Sequence, residues 1–116
     1  MIFAAAMSLT VSLCYQMHQA GQQDFHETVV ACLRNAFHQA VVACNHEQTL
    51  AAQRLGAEQG KILDRSQDNW VKVLGETCKV PLGADGFVDT KPDTTDFECL
   101  IDLTHERTRA LSELGR

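Results

Sequence analysis

The sequence predicts an all-α fold, a small antiparallel helical bundle of three to four helices that are cross-linked by disulfides. Apolar residues recur at helical spacing in three segments, and no segment alternates apolar and polar residues as a strand would. The chain has 116 residues and five cysteines, a density typical of disulfide-bonded proteins in an oxidising compartment. Hydrophobic residues make up 45% of it and charged residues 22%, which favours one packed domain over disorder.

The first 20 residues are predicted to be either a signal peptide or an N-terminal apolar helix of the folded domain. Residues 1–14 are almost wholly apolar or small, and this run is too short to span a bilayer but suits the core of a signal peptide. No Lys or Arg precedes the run, and Ala20 is the best small residue for cleavage. Cleavage there would remove Cys14 and leave four cysteines in a single helical domain over residues 21–116.

The first helix of that domain is predicted over residues 25–44. Asp24 and Glu27 have the spacing of a capping box, which marks a helix N-terminus. The polar stretch 45–48 is expected to form a turn or to start the next helix. The apolar residues after the capping box share one face of a helix, namely Val29, Val30, Leu33, Ala36, Phe37, Ala40, Val41 and Cys44.

The second helix is predicted over residues 48–79. It is either continuous or broken between Gly56 and Gly60, because each glycine destabilises a helix by about 1 kcal/mol relative to alanine. Pro81 lies just beyond this helix and cannot continue it. One face of the helix carries Leu63, Gln67, Trp70, Leu74 and Cys78.

The segment between residues 79 and 94 is predicted to be an irregular loop, since it holds two prolines and two glycines. Thr95 and Glu98 have the spacing of a second capping box. The last helix is therefore predicted over residues 96–114, and Gly115 ends it. Its apolar face carries Leu100, Leu103, Leu111 and Leu114.

Cys78 and Cys99 are predicted to form a disulfide bond. Cys78 lies in the last turn of one predicted helix and Cys99 in the first turn of the next, so the two meet if the helices are antiparallel neighbours. The bond would close the loop between them and stabilise the fold by about 3 kcal/mol. The alternative is a pair of buried free thiols, which an oxidising compartment disfavours.

Cys32 and Cys44 are also expected to be in disulfides, but the sequence leaves their partners open. On one unbroken helix they would lie about 18 Å apart along the axis, which excludes a bond between them. Either the helix breaks between the two cysteines, or they pair with other cysteines. Four cysteines allow three connectivities.

The net charge and the loop aspartates point to a basic protein partner. A formal net charge of −5 argues against binding to nucleic acid or to an anionic membrane surface, and it favours association with a basic protein. Asp85, Asp89 and Asp93 are spaced by four residues, which does not fit the ligand spacing of an EF-hand calcium loop. They form either a solvated loop or an acidic surface that contacts the partner, and the second is our hypothesis.

The motifs of enzymes, metal sites and cofactor sites are missing from the sequence. The five histidines lack metal-binding spacing, and the chain has neither a G-x-S-x-G nucleophile motif nor a glycine-rich phosphate loop. The chain is therefore predicted not to be an enzyme and to use no metal or cofactor.

Trp70 and Arg107 are predicted to be structural residues. Trp70 shares an apolar stripe with Leu63 and Leu74, so its ring is expected to pack in the core. Arg107 lies at an apolar-face position of the last helix, where a charge needs a partner or must reach water. We expect an ion pair with a carboxylate of the preceding helix, for which the candidates are Asp64, Asp68 and Glu76.

Parts of the last two helices resemble the signature of the LprI-like lysozyme-inhibitor family. That signature is a helix of the form L-x-x-A-Q-x-x-W, a cysteine eight residues after the Trp, and later C-x4-T-x2-R-x3-L. The chain departs from it at Ser66, which replaces the usual Ala, and at Leu74 and Gly75, which replace a usual Arg-Asp pair. The earlier cysteine pair of the family, twelve residues apart, is reproduced by Cys32 and Cys44. The matching signature residues are Leu63, Gln67, Trp70, Cys78, Cys99, Thr104, Arg107 and Leu111.

The resemblance covers residues 32–114 and implies a small exported bacterial protein, either periplasmic or secreted. It implies a protein that binds and inhibits a peptidoglycan-cleaving enzyme of the lysozyme type by occlusion, with a basic peptidoglycan hydrolase as the partner. Two alternatives remain open. One is an immunity protein against a rival's secreted cell-wall hydrolase, and the other is a structural or assembly protein of the cell envelope.

Overall fold

The computed structural model describes residues 9–16, 25–88 and 90–116, and these residues form four helices. The helices are α1 (Leu9–Gln16), α2 (Phe25–Leu55), α3 (Ala57–Cys78) and α4 (Thr94–Glu113). Helices that follow each other in the chain are antiparallel, so α2 and α4 are parallel. The all-α bundle predicted from the sequence is confirmed. Within the described ranges, no helix has the length and apolarity needed to cross a membrane.

Helix α2 is longer than the sequence predicted. The predicted end at residue 44 is wrong, because residues 45–48 continue the helix, and the Thr49 hydroxyl donates a hydrogen bond to the Asn45 carbonyl at 3.1 Å. The chain breaks only at Gly56, whose φ of 91° lies in the left-handed region that favours glycine. At Gly60 a Cβ would lie 3.0 Å from the carbonyl oxygen of Ala52, so this glycine lets α3 pack closely on the end of α2.

Helix α4 starts two residues earlier than predicted, and its capping box is a different pair of residues. Asp93 caps the helix, and its Oδ1 accepts a hydrogen bond from the Thr94 amide at 2.8 Å. Asp96 completes the box, because its Oδ2 accepts a hydrogen bond from the Asp93 amide at 3.0 Å. The extended backbone of Asp93 allows this geometry, whereas Thr95 is already inside the helix. The other predicted box includes Asp24, which lies outside the described residues.

The core consists of two groups of buried side chains. The larger group joins all four helices and the segment between α3 and α4, around the fully buried rings of Phe37 and Phe97. Their ring centroids are 6.4 Å apart. The smaller group joins α2, α3 and α4 and contains Cys44, Ala51, Leu63 and Leu111. Trp70 is partly buried and packs against both groups, so it has the core-packing role that the stripe predicted.

The structure contains two disulfide bonds. Cys78 is bonded to Cys99 across the ends of α3 and α4, as predicted. Cys32 is bonded to Cys14 of α1, with 5.5 Å between the two Cα atoms. The expectation that Cys44 also forms a disulfide is wrong, because Cys44 is a buried free thiol. The physical reason is the continuity of α2, which holds Cys32 and Cys44 on one straight element and leaves Cys44 facing α3.

Helix α1 packs against the bundle. Val11 and Cys14 are fully buried in the larger core group. Residues 9–16 thus form the helix that the second alternative for the N-terminus predicted. Cleavage of the first 20 residues remains a prediction.

Candidate functional site

The segment between α3 and α4, residues 79–93, is here named the acidic loop. Its described residues form no helix and no named strand, as the sequence predicted, but they contain an ordered turn. The amide of Gly83 donates to the carbonyl of Phe87 and the amide of Gly86 donates to the carbonyl of Gly83, each at 2.9 Å. An isolated antiparallel bridge pairs Leu82 with Val88. These bonds fix the backbone of the loop around Asp85.

Arg34 of α2 holds the acidic loop against the bundle. Its guanidinium donates hydrogen bonds to the carbonyl of Val88 at 3.3 Å and to the carbonyl of Thr90 at 2.8 Å. The same group lies 5.4 Å from the ring centroid of Phe97. Arg34 was not identified from the sequence. It lies four residues after Val30, beside the apolar face of α2, and Arg107 was identified from a similar position on the last helix. Arg34 therefore holds the loop on α2, and its guanidinium contacts both the loop carbonyls and the ring of Phe97.

The acidic side chains of the loop that the structure describes are exposed, and they also support the fold. Asp85 accepts a hydrogen bond from the Phe87 amide at 3.0 Å, which closes an Asx turn. Asp93 caps α4 and lies 3.7 Å from His26 Nε2. The third predicted contact residue, Asp89, lies outside the described residues.

The structure spreads Asp85 and Asp93 along α2 and does not gather them into one cluster. Asp93 faces His26, whereas Asp85 acts on His38. These two histidines are twelve residues apart on α2, which corresponds to about 18 Å along the helix axis. The acidic loop therefore offers separate negative charges along one side of the bundle. In the part of the chain that the structure describes, no group of three or more side chains is suited to hold a metal ion.

A shallow depression of about 460 Å³ lies where the acidic loop meets α2. It is lined by His38, Gln39, Val42 and Phe87, and we name it the Phe87 depression. The rings of His38 and Phe87 meet edge to face with centroids 4.7 Å apart, and Val42 is 60% exposed. His38 Nε2 is buried and has no hydrogen-bond partner. Burial lowers the pKa of His38, and the Arg34 charge lowers it further, while Asp85 acts in the opposite direction.

The residues of the family-like signature meet at the interface of α3 and α4. Gln67 is 8% exposed, its Oε1 accepts a hydrogen bond from Arg107 Nε at 3.0 Å, and its Nε2 lies 3.5 Å from Cys44 Sγ. Arg107 also donates to the Ser66 hydroxyl at 3.3 Å, and its guanidinium lies 5.8 Å from the ring centroid of Trp70. This arrangement satisfies buried polar groups and joins two helices, which is a structural role.

The ion pair predicted for Arg107 is wrong. Its described partners are the neutral side chains of Gln67 and Ser66 and the face of Trp70. The reason is the register of α3, because Gln67 lies on the buried face that meets α4. Asp64 is exposed and accepts a hydrogen bond from Gln48 of α2 instead. Burial lowers the pKa of Arg107.

A second, larger depression of about 850 Å³ lies between the end of α3 and the start of the acidic loop. Apolar groups such as Val71 and Leu82 form much of its lining, and a Cβ on Gly75 would come within 2.9 Å of the Val80 carbonyl oxygen. Charged residues of both signs line it, with Lys72 and Lys79 opposed by Asp68 and Glu76. This balance gives the depression no clear preference for a charged ligand.

Comparisons with known proteins found no matching family model, no matching curated protein and no matching solved structure.

Proposed function

We propose that this protein is an exported, non-enzymatic binding protein that inhibits a basic peptidoglycan hydrolase of the lysozyme type by covering its substrate cleft. The observation that carries the proposal is the acidic loop, which Arg34 fixes on α2 while the carboxylates of Asp85 and Asp93 stay exposed. An inhibitor that acts by occlusion needs such an ordered surface, because a preorganised contact loses little conformational entropy on binding.

Electrostatics support a basic partner. The chain has a formal net charge of −5. The two histidines on which Asp85 and Asp93 act lie about 18 Å apart along α2, a separation greater than the Debye length of about 8 Å at physiological salt. Each carboxylate would therefore contact its own positive group on the partner. Such charges speed association more than they raise affinity, and salt screens them.

Export is supported by the two disulfide bonds. Cys14–Cys32 and Cys78–Cys99 both join separate helices, and bonds of this kind persist in oxidising compartments such as the periplasm or the extracellular space. The partner that we propose, a cell-wall hydrolase, acts in the same compartments.

The experiment is an inhibition assay with the oxidised, full-length protein against lysozyme-type muramidases and amidases, followed by the variant Asp85→Asn/Asp89→Asn/Asp93→Asn. Asparagine removes the charge but keeps a side-chain oxygen for the turn at Asp85 and the helix cap at Asp93. The free energy of unfolding of this triple variant should therefore stay within about 0.5 kcal/mol of wild type. A matched control removes three exposed charges elsewhere, by the substitutions Glu58→Gln, Glu106→Gln and Glu113→Gln.

We expect wild type to inhibit at least one muramidase, and the aspartate variant to associate about tenfold more slowly at low salt. The control should associate at nearly the wild-type rate, and the difference between the variants should shrink as salt is added. An absence of inhibition of every muramidase and amidase at micromolar protein would defeat the proposal. Equal inhibition by all three proteins would support inhibition as the function but would show that the acidic loop is not part of the contact surface.

A further inference from the structure

The Phe87 depression combines an apolar surface with two hydrogen-bond acceptors. Val42 is 60% exposed and stands beside the ring of Phe87, so the lining can cover an aliphatic chain. Asp85 is an exposed carboxylate whose Oδ1 accepts a hydrogen bond from the Phe87 amide at 3.0 Å, and its charge acts on the lining residue His38. His38 Nε2 has no partner in the free protein, and a neutral imidazole nitrogen can accept a hydrogen bond.

The charges around the depression select among possible occupants. Arg34 is the cation that acts on His38, but its guanidinium is committed to the carbonyls of Val88 and Thr90. The Asp85 carboxylate accepts a hydrogen bond from the amide of the lining residue Phe87 at 3.0 Å, so it lies next to the depression and would repel an anionic group. A purely apolar occupant would cover the exposed Asp85 carboxylate without replacing its contacts with water, at a cost in free energy. A long side chain with an apolar stem and a cationic head matches both the apolar lining and the negative charge of Asp85.

We propose that the Phe87 depression binds one lysine or arginine side chain of a basic protein partner. The stem lies on Val42 and Phe87, the cationic head binds Asp85, and a tilt of the Phe87 ring brings the head to His38 Nε2. The inference rests on the proposed function for the identity of the partner, and it locates the central contact of that interface.

The proposed contact is sensitive to pH through His38. The charged groups that face His38 are Arg34 on its own helix and Asp85 on the acidic loop. Because burial lowers the pKa of His38, the ring is neutral at pH 7 and accepts a hydrogen bond. Protonation of the ring replaces the acceptor by a cation, so binding of a lysine or arginine weakens as the pH falls through the lowered pKa of His38.

The direct test uses two short peptides, acetyl-Ala-Arg-Ala-amide and acetyl-Ala-Glu-Ala-amide, titrated to about 10 mM into ¹⁵N-labelled full-length protein, since a single side chain binds in the millimolar range. The arginine peptide should shift the amide signals of residues 38–42 and 85–87, and the glutamate peptide should not. The shifts should be lost in Asp85→Asn and should weaken at pH 5.5. Equal shifts with both peptides, shifts centred elsewhere, or no shifts at all would overturn the proposal.

A second test separates this inference from the proposed function. Val42→Arg places a fixed cation in the depression, and Val73→Arg is the matched control because Val73 is a 48% exposed valine on α3. Both variants should unfold at the wild-type urea concentration, since both sites face solvent. For any hydrolase that wild type inhibits, Val42→Arg should weaken inhibition about tenfold and Val73→Arg less than about twofold. Equal effects would place the contact elsewhere, whereas peptide binding without any inhibited hydrolase would defeat the proposed function and keep the site.

Discussion

Replacement of Arg107 by alanine should destabilise the protein by about 2–3 kcal/mol. The variant loses the bond to Gln67 Oε1 at 3.0 Å, the bond to the Ser66 hydroxyl at 3.3 Å, and the contact with the Trp70 ring at 5.8 Å. A hydrogen bond from a charged donor contributes about 1.5–3 kcal/mol, with the lower end fitting a partly exposed group. The contact with the ring adds about 0.5–1 kcal/mol. Gln67 is 8% exposed and would keep an unpaired oxygen, which adds to the cost.

The assay is urea unfolding, followed by circular dichroism and by the fluorescence of Trp70, the single tryptophan of the chain. With a slope of about 1.5 kcal/mol per molar urea, the midpoint should fall by about 1.3–2 M. Arg109→Ala is the control, because Arg109 is an exposed position of the same helix. Its free energy of unfolding should differ from wild type by less than about 0.5 kcal/mol. A double-mutant cycle of Arg107→Ala with Gln67→Ala should give a coupling of about 1 kcal/mol. Equal midpoints for Arg107→Ala and Arg109→Ala would refute this account of the α3–α4 interface.

Peptide mapping of the non-reduced full-length protein should recover Cys14 linked to Cys32, with Cys44 alkylated only after unfolding because it is 1% exposed; a Cys32–Cys44 link would contradict the structure. The free energy of unfolding should fall as the pH drops below about 6.5, because burial lowers the folded-state pKa of His38 and the unfolded chain then binds the proton more readily. This part of the slope should be absent in His38→Gln, and a wild-type slope in that variant would assign the effect to other groups. Gly60→Val should destabilise by about 1–3 kcal/mol, because its Cβ would meet a carbonyl oxygen of α2 at 3.0 Å, and unchanged urea unfolding would argue against that close approach.

The helical pattern of the sequence was sufficient to predict the class of fold, since the stripes of α2, α3 and α4 appear in it as regular apolar spacing. The end of α2 was missed because polarity alone does not stop a helix. Residues 45–48 contain neither glycine nor proline, and the real break needs the positive φ of Gly56. The Cys78–Cys99 bond was predictable from two adjacent helix ends. The partner of Cys32 depended on whether the N-terminal segment packs on the bundle.

The candidate site was less accessible to sequence analysis, because its geometry depends on contacts between residues far apart in the chain. Arg34 contacts carbonyls more than 50 positions away, so neither its partners nor the fixed position of the acidic loop could be deduced from spacing. The partner of Arg107 was predicted wrongly because only carboxylates of the preceding helix were considered. The register of α3 instead places the neutral side chain of Gln67 within hydrogen-bond distance of Arg107. The exposure of Asp85 and Asp93 was expected, but their separation along α2 was not.

We propose that the surface of the acidic loop covers the cleft of a basic peptidoglycan hydrolase, and a steady-state inhibition titration tests this proposal. The oxidised, full-length protein is titrated against each candidate muramidase with a small chromogenic oligosaccharide and with intact cell walls as substrates. Occlusion predicts complete, competitive inhibition of both substrates at one protein per enzyme, with weaker inhibition by the Asp85→Asn/Asp89→Asn/Asp93→Asn variant than by the glutamate control. Inhibition of cell-wall cleavage alone, with full activity on the small substrate, would contradict occlusion of the cleft, and no inhibition of either substrate would contradict the claim as a whole.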